Sequence, residues 1–307
     1  MAARVSAARL LSACVHLAAS AGAIVREVQA SGALDTQYKG YEDPVTEADL
    51  RGQRLIEGTL RWAFPAISVR GEENIVCADA DVCKEVDWNL VPESLFSEET
   101  RELQAEEVTV WVDPLDGTIN FTKGDYIGCT VLIGIAVNGR PMYGAIHHIF
   151  HPEQPTYWGG TGLGLFKYTA RGVEPLIVAP PPSTFILVST KYHDSEGMTA
   201  FLQSISADQL VRAGGTGSKA LKVLLGEVSV YAYPTTRSTN SSKWDICAPQ
   251  ALIGALPNGA VTDVYGNLYD FSRDAAALNA EGIIMSRSPA YHLQVQAAYQ
   301  NFSSIIA

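Results

Sequence analysis

Positive charge is scarce in this sequence of 307 residues. Lysine and arginine number 22 against 33 aspartates and glutamates, which gives a formal net charge of −11. Nucleic acids and anionic membranes bind positive protein surfaces, so we expect neither a nucleic-acid polymer nor a membrane as a partner. Charged residues are only 18% and hydrophobic residues 47% of the chain, which excludes disorder and permits a large core. The acidic balance suits an enzyme whose carboxylates bind metal cations.

Cysteine is also rare, and its five positions contain no Cys-x-x-Cys pair. The odd number and the spacing argue against a disulfide scaffold and against a zinc ribbon. The apolar stretch from Tyr126 to Gly139 is shorter than the roughly 20 residues of a bilayer-spanning helix. We predict no transmembrane segment and a protein of a reducing compartment.

The N-terminal segment from Met1 to Arg26 allows two interpretations. It contains three arginines, several serines and no acid, a composition that resembles a transit peptide. Apolar residues from Leu10 to Val28 nevertheless recur at helical spacing, and the pattern continues past Glu27 without a break. We predict a first core helix and a cytoplasmic protein, with mitochondrial or other N-terminal targeting as the alternative.

The rest of the pattern divides the chain into two halves. Residues 1–180 combine helices with an antiparallel-rich sheet, in which the apolar run Val131–Val137 is followed by the hairpin signal Asn-Gly. Within this half, residues 74–107 are acidic and irregular and indicate an inserted surface segment. After three consecutive prolines, strands and helices alternate. We predict a metal-binding α+β half over residues 1–180 and an α/β half over residues 181–307.

The segment Asp113-Pro114-Leu115-Asp116-Gly117-Thr118 is the first candidate for a functional site. Two carboxylates lie three residues apart after a strand, in a turn fixed by proline and glycine, and both can point at one spot. Hard divalent cations such as Mg²⁺ bind carboxylates and carbonyl oxygens, here including that of Leu115. The amides of Gly117 and Thr118, at the start of a predicted helix, can meet a phosphate oxygen. An ordinary Asx or proline turn is the alternative interpretation.

Three further acids lie at the ends of predicted elements. Asp49 is in the first turn of a helix, Glu72 follows a short strand, and Asp245 begins another helix. Each has a structural interpretation of its own, as a capping-box acid after Thr46, a solvated acid and an N-cap respectively. Those interpretations do not explain why acidic residues recur at the ends of several predicted elements, in addition to the acidic turn that follows one strand.

Four motifs then appear in a fixed order along the chain. They are Asp43-Pro44-Val45-Thr46-Glu47-Ala48-Asp49, Gly71-Glu72-Glu73, Trp111-Val112-Asp113-Pro114-Leu115-Asp116-Gly117-Thr118 and Lys243-Trp244-Asp245. Together they resemble the signature of the lithium-sensitive, magnesium-dependent phosphomonoesterases, over nearly the whole chain. That superfamily includes inositol monophosphatases, inositol polyphosphate 1-phosphatases and 3′(2′),5′-bisphosphate nucleotidases.

The resemblance implies a fold, a cofactor and a site. The fold is a layered α-β-α-β-α sandwich of the inositol monophosphatase and fructose-1,6-bisphosphatase type, α/β (α+β) in class. The cofactor is Mg²⁺, two or three ions per site, and the matching ligands are Glu72, Asp113, Asp116, Asp245 and the Leu115 carbonyl. The water-activating pair corresponds to Asp49 and Thr118. The substrate is a small phosphate ester, hydrolysed by metal-activated water without a phospho-enzyme, and Li⁺ is an expected inhibitor.

The length of the insert favours one branch of the superfamily. The connection from Glu72 to Asp113 is longer than in inositol monophosphatases and shorter than in the 1-phosphatases, and resembles that of the bisphosphate nucleotidases. The segments Arg212–Lys219, Trp244–Pro249 and Val261–Asn267 resemble the same branch. The implied reaction removes the 3′-phosphate of adenosine 3′,5′-bisphosphate to give AMP and phosphate. Action on the 1-phosphate of inositol 1,4-bisphosphate is the alternative, and a catalytically silent metal- or phosphate-binding homologue is a third hypothesis.

The same resemblance implies the substrate contacts. Besides Gly117 and Thr118, the matching positions are Thr190, His193, Gly215 and Lys219. Two segments depart from the nucleotidase pattern. Asn120-Phe121 is similar to the inositol monophosphatase form, and the loop from Pro234 to Ser242 differs from the nucleotidases. Because this loop precedes Asp245, the resemblance is weaker evidence for which nucleobase the substrate carries.

Overall fold

The computed structural model describes residues 3–40, 43–192, 196–234 and 241–306. Over these residues the chain forms seven α-helices: α1 (Ala7–Ser31), α2 (Glu47–Ala63), α3 (Thr118–Thr122), α4 (Glu196–Ser204), α5 (Thr216–Leu225), α6 (Lys243–Gly254) and α7 (Pro289–Ile306). The same residues form eighteen strands, most of them in two larger sheets.

The strands, in chain order, are β1 (Arg4–Ser6), β2 (Gln37–Gly40), β3 (Asp43–Val45), β4 (Ser68–Gly71), β5 (Glu102–Gln104), β6 (Val108–Asp116), β7 (Thr130–Val137), β8 (Arg140–His148), β9 (Thr156–Gly160), β10 (Gly164–Thr169), β11 (Gly172–Pro175), β12 (Ile186–Thr190), β13 (Gln209–Ala213), β14 (Val230–Tyr233), β15 (Ser241–Ser242), β16 (Ala260–Thr262), β17 (Leu278–Asn279) and β18 (Ile283–Ser286). Three short antiparallel pairs, β1 with β5, β2 with β3 and β15 with β17, lie outside the larger sheets.

The larger sheet has seven strands in the order β11-β10-β9-β8-β7-β6-β4. Its neighbours pair antiparallel, except that β4 runs parallel to β6. Between β7 and β8, Asn138 and Gly139 have φ values of 50° and 72°, as a two-residue type I′ hairpin requires. The predicted hairpin and the antiparallel-rich character of this sheet are confirmed.

The smaller sheet has five strands in the order β13-β12-β14-β18-β16. Strand β12 is parallel to both β13 and β14, and β18 is antiparallel to β14 and β16. Its strands alternate with helices α4 to α7 along the chain, as predicted for an α/β segment. The division of the chain at residue 180 stays a prediction.

Helices and sheets stack in five layers. Helices α1 and α2 pack on one face of the larger sheet, and α5 and α6 lie between the two sheets. Helices α7 and α4 cover the outer side of the smaller sheet, where α7 contacts β14 and β18. The layered α-β-α-β-α sandwich predicted from the resemblance is confirmed.

Helix α1 is the central element of the first layer. The Ser6 hydroxyl caps its first turn by accepting a hydrogen bond from the Arg9 amide at 3.3 Å, and Gly32 ends it at φ 71°. By length and composition this helix could cross a membrane, but most of its apolar stretch is buried inside the protein. Because its apolar face packs on α2 and the larger sheet, the prediction of a core helix is confirmed.

Two features of the fold differ from the prediction. Strand β6 includes Asp113 and Asp116 rather than ending before them, because a register shift lets the strand pass Pro114 while still pairing with β7. Strands β9 to β11 were not predicted, because glycines within and between β9 and β10 obscure the alternation of a strand. The insert is irregular as predicted, with short 3₁₀ turns and β5.

Gly22 of α1 permits the closest approach between this helix and the larger sheet. A Cβ atom at this position would overlap the ring of His147, which is buried with its Nδ1 2.9 Å from Thr156 Oγ1. An alanine inside a helix normally stabilises by up to about 1 kcal/mol relative to glycine. Here we expect Gly22→Ala to lower the free energy of unfolding by about 1–3 kcal/mol, because the locked ring cannot move away.

Urea unfolding monitored by circular dichroism measures this effect. Gly254→Ala is the matched control: Gly254 is exposed in α6, and an added Cβ would meet no heavy atom within 4 Å. We expect the control to be neutral or stabilising by up to about 1 kcal/mol. Equal effects of the two substitutions would contradict the packing of α1 on His147.

Candidate active site

The candidate site begins where β6 ends. The register shift between Asp113 and Asp116 lets both carboxylates of one strand face the same side, and both are buried. The Leu115 amide donates to Asp113 Oδ1 at 3.0 Å, which fixes the turn. The Leu115 carbonyl accepts from the Thr118 hydroxyl at 2.9 Å. Strand β6 therefore presents two fixed carboxylates and a carbonyl beside the start of α3.

Helix α6 brings the third carboxylate. Asp245 is the third residue of this helix, where its Oδ2 accepts the Ser242 amide at 3.0 Å in a capping box. Carboxylate oxygens of Asp113, Asp116 and Asp245 all lie within 4.8 Å of one another. The structure thus brings together three of the predicted ligands from distant parts of the chain.

Helix α5 holds Asp116 in place. Its carboxylate accepts the amides of Thr216 at 2.8 Å and Gly217 at 2.7 Å, and the Thr130 hydroxyl at 2.7 Å. A Cβ atom at Gly215, which has φ 65°, would overlap the Gly128 carbonyl oxygen, so the close approach requires glycine. Sequence analysis missed these positioning contacts, although the glycine run before α5 was their signal.

Burial and mutual repulsion make these carboxylates hard to ionise. Burial, together with the charges of Asp116 and Glu72, raises the pKa of Asp245 to about 8. Burial likewise raises the pKa of Asp113 well above its ordinary value, with a smaller contribution from neighbouring carboxylates. Buried like charges at such short range need a neutralising cation. Three hard oxygen ligands in this arrangement suit a divalent metal ion.

Asp49 and Thr118 form a pair beside these carboxylates, as the resemblance implies. The Thr118 hydroxyl is 3.0 Å from Asp49 Oδ1, while Asp49 Oδ2 accepts the amide and hydroxyl of Thr46 at 2.7 and 2.6 Å. The predicted capping box at the start of α2 is therefore confirmed. Burial raises the pKa of Asp49 to about 7, although its bonds to Thr46 oppose the shift. A carboxyl with this pKa can accept and return a proton near neutral pH.

Glu72 lies apart from the three aspartates. Its Oε1 accepts the Lys39 ammonium at 2.7 Å, and the same ammonium is 2.6 Å from Glu73 Oε1. Glu72 lines the same cavity as Asp116 and Asp245, but it does not share their 4.8 Å cluster. Lys39, which pairs with it, is a further residue of this site that sequence analysis missed.

Lys219 is buried on α5, 3% exposed. Burial lowers its pKa to about 8, an effect that the charges of Asp116 and Asp245 oppose. Its Nζ also lies 5.1 Å from the centre of the Tyr231 ring. The Lys219 ammonium is thus a positive charge near Asp116 and Asp245, in a position to face a substrate phosphate.

An open cavity of about 500 Å³ is lined by Asp116, Asp245, Glu72, Lys39 and Lys219 among these groups. Of the predicted substrate contacts, Gly117, Thr118, Thr190, Gly215 and Lys219 line it. His193, the remaining one, lies outside the described residues, as does most of the loop from Pro234 to Ser242. The cavity is large enough for a nucleotide-sized ligand.

Binding of a divalent metal should stabilise the protein in a pH-dependent way. In the metal-free protein the folded-state pKa of Asp245 is raised to about 8 from an ordinary value of 3.8. The protonated form of Asp245 therefore stabilises the folded, metal-free protein. This contribution is complete below pH 3.8, the ordinary pKa that applies to the unfolded chain, and is lost as the pH rises through about 8. We therefore expect Mg²⁺ to raise the melting temperature more at pH 8.5 than at pH 6, by several degrees at saturating concentration. Thermal unfolding with and without Mg²⁺ at both pH values measures this, and equal shifts would contradict it.

Comparison with known proteins gives consistent results. Residues 6–303 match the sequence profile described as "Inositol monophosphatase family". The chain is 30% identical over 287 residues to 3′(2′),5′-bisphosphate nucleotidase 1 of Homo sapiens, covering 90% of each chain. It is 33% identical over 296 residues to the protein of the same name from Dictyostelium discoideum, covering 91% of this chain and 93% of the relative. The crystal structure of extragenic suppressor protein suhB from Bartonella henselae superposes with a TM-score of 0.68, at 19% identity over 93% of this chain and 96% of that chain.

Proposed function

We propose, since this chain belongs to the inositol monophosphatase family of metal-dependent phosphomonoesterases, that it hydrolyses the 3′-phosphate of adenosine 3′,5′-bisphosphate to give AMP and inorganic phosphate. The observation that carries the proposal is the cluster of Asp113, Asp116 and Asp245, of which Asp116 and Asp245 line a nucleotide-sized cavity. The similarity to 3′(2′),5′-bisphosphate nucleotidases supports the choice of a nucleoside bisphosphate as substrate.

Mg²⁺ is the proposed cofactor, with two or three ions per site. The three aspartates of the cluster, the Leu115 carbonyl and Glu72 would hold it. When bound, Mg²⁺ supplies an activated water and neutralises charge on the phosphate. Lys39 pairs with Glu72 Oε1 in the structure, so this oxygen becomes a metal ligand only if the lysine releases it.

Residues around the cluster would orient the attacking water and accept the proton that it loses. The Thr118 hydroxyl can donate to Asp49 while its own oxygen accepts from a water facing the cavity. Asp49, with a pKa of about 7, takes the proton that the water loses during in-line attack on phosphorus. Lys219 and the backbone at Gly215 would contact the phosphate and sugar, together with Thr190 and His193. Asp49 and Thr118 thus supply the base, and no covalent intermediate is needed.

The alternative substrate is an inositol polyphosphate carrying a 1-phosphate. One observation favours it: Asn120, which resembles the inositol monophosphatase form of the motif, lines the cavity. Its side chain donates to Asp125 Oδ2 at 3.1 Å, so it is held within the wall rather than pointing freely at a substrate. For this reason we place the nucleotide first.

Phosphate release from adenosine 3′,5′-bisphosphate and inositol 1,4-bisphosphate, measured side by side with Mg²⁺, tests the proposal. We expect a higher kcat/KM for the nucleotide, AMP as the product, and inhibition by Li⁺. A higher kcat/KM for the inositol phosphate would favour the alternative instead. No release from either compound would support a catalytically silent homologue.

The cytoplasm is the proposed location. The burial of α1 in the folded core supports this proposal. If α1 were a cleaved targeting segment, its removal would leave the larger sheet uncovered. Mass spectrometry of the N-terminus of the protein isolated from its native cells tests this, because a start beyond α1 would contradict it.

A further inference from the structure

The rim of the cavity carries an aromatic residue between two lysines. Tyr192, just after β12, lines the cavity. The Lys123 ammonium lies 4.4 Å from the centre of the Tyr192 ring, and the Lys191 ammonium lies 5.5 Å from it. Ammonium groups at these distances from a tyrosine ring are held by a cation–π interaction. We call Lys123, Lys191 and Tyr192 the cationic rim.

One carboxylate orders this rim without neutralising it. Asp125 Oδ2 is 2.8 Å from the Lys191 ammonium and 3.3 Å from the Tyr192 hydroxyl. The Asn120 amide donates to the same oxygen at 3.1 Å. Within the described part of the chain, Lys123 has no carboxylate within 4.0 Å. Among the described residues, the cationic rim therefore has two ammonium groups and one carboxylate, which binds Lys191 alone and leaves Lys123 unneutralised.

The rim lies at a fixed separation from the catalytic pair. Lys123 follows the last residue of α3, and Thr118 is the first residue of the same helix. Five residues of α-helical rise separate their backbones by about 8 Å. That span is comparable to a sugar with phosphates at two of its oxygens. The backbone of Lys123 therefore lies within the length of such a ligand from the backbone of Thr118.

We propose that the cationic rim binds the second phosphate of the substrate, the one that is not hydrolysed. The inference rests on the proposed function. It assigns to the cationic rim the preference for a bisphosphate over a monophosphate. Phosphate is a dianion near neutral pH and forms its stronger hydrogen bonds with charged donors. Lys123, which forms no ion pair with the described residues, supplies such a donor. Tyr192, which lines the cavity, contacts both ammonium groups, and Asp125 holds that of Lys191.

The kinetic test compares adenosine 3′,5′-bisphosphate with adenosine 3′-monophosphate. We compare kcat/KM for the bisphosphate with kcat/KM for the monophosphate. In Lys123→Gln this ratio should fall about tenfold, mainly because KM for the bisphosphate rises. Lys222→Gln is the matched control, because Lys222 is a lysine of α5 whose ammonium pairs with Glu227 at 2.9 Å. An unchanged ratio in Lys123→Gln, or an equal fall in the control, would overturn the proposal.

A binding measurement separates this proposal from the proposed function. Calorimetry compares adenosine 5′-monophosphate, which has the second phosphate alone, with adenosine. We expect Lys123→Gln to reduce the affinity advantage of the monophosphate about tenfold, with no turnover involved. If no phosphate is released from any nucleotide, the proposed function fails and this measurement still decides the role of the rim. Equal affinity of the unmodified protein for the two compounds would overturn the rim proposal alone.

Discussion

Replacing Asp113 with asparagine should lower kcat by about a thousandfold or more and leave the protein folded. The amide keeps the shape of the side chain, including the oxygen that accepts the Leu115 amide, but removes one negative charge from the metal-binding cluster. In the metal-free protein, burial and neighbouring carboxylates raise the pKa of Asp113 well above its ordinary value, so the fold favours the uncharged form. Asparagine resembles that form, and the metal-free variant should be at least as stable as the unmodified protein.

Three measurements together check this expectation: kcat with saturating substrate, Mg²⁺ affinity by calorimetry, and the melting temperature without metal. Asp35→Asn is the matched control. Asp35 is exposed and has φ 47°, a conformation that asparagine also adopts readily. The control should match the unmodified protein in all three measurements. An Asp113→Asn variant with full activity would remove the metal assignment, whereas a misfolded one would show that the carboxylate charge is needed for stability.

Replacing Thr118 with valine should lower kcat by about 100- to 10,000-fold. Valine keeps the branched shape but removes the hydroxyl that connects Asp49 to the cavity. The hydroxyl also bonds the Leu115 carbonyl, so Thr118→Ser, which retains it, should recover most of the activity. Since the proposed role of the hydroxyl is to orient the water during proton transfer, we expect KM to change much less than kcat.

A double-mutant cycle distinguishes a catalytic pair from two independent residues. If Thr118 and Asp49 act as one unit, Asp49→Asn should lower kcat strongly alone and add little to Thr118→Val. The pH profile gives a second readout, because the acidic limb of kcat should follow the ionisation of Asp49 and disappear in Asp49→Asn. Additive effects, or an acidic limb that persists in Asp49→Asn, would contradict the assignment of Asp49 as the base.

Local chemistry explains which parts of this site could be predicted. The capping box of Thr46 and Asp49 depends on residues three apart, and the Asn138-Gly139 hairpin depends on two adjacent residues. The pairing of Asp113 with Asp116 was predicted from their spacing in one turn, but Asp245 was predicted as a third ligand only through the resemblance of four ordered motifs. Nothing in the spacing alone brings α6 to the end of β6.

The contacts that sequence analysis missed are those between distant segments. The amides of α5 that bind Asp116 are about a hundred residues from it, and neither the backbone groups nor their direction can be read from residue types. The pairing of Lys39 with Glu72 depends in the same way on where the β2–β3 hairpin lies. The cationic rim unites residues after α3 with residues after β12, and each of these lysines alone resembles an ordinary surface charge.

The attachment of Asp116 to the amides of α5 has a consequence for how the enzyme acquires activity during synthesis. Strand β6 leaves the ribosome well before α5 and α6, so a nascent chain that has completed the larger sheet still lacks the groups that aim one aspartate and supply another. The full set of three aspartates therefore forms late, when the C-terminal elements dock. A truncated or stalled chain would carry the acidic strand without Asp245 and without the amides that orient Asp116.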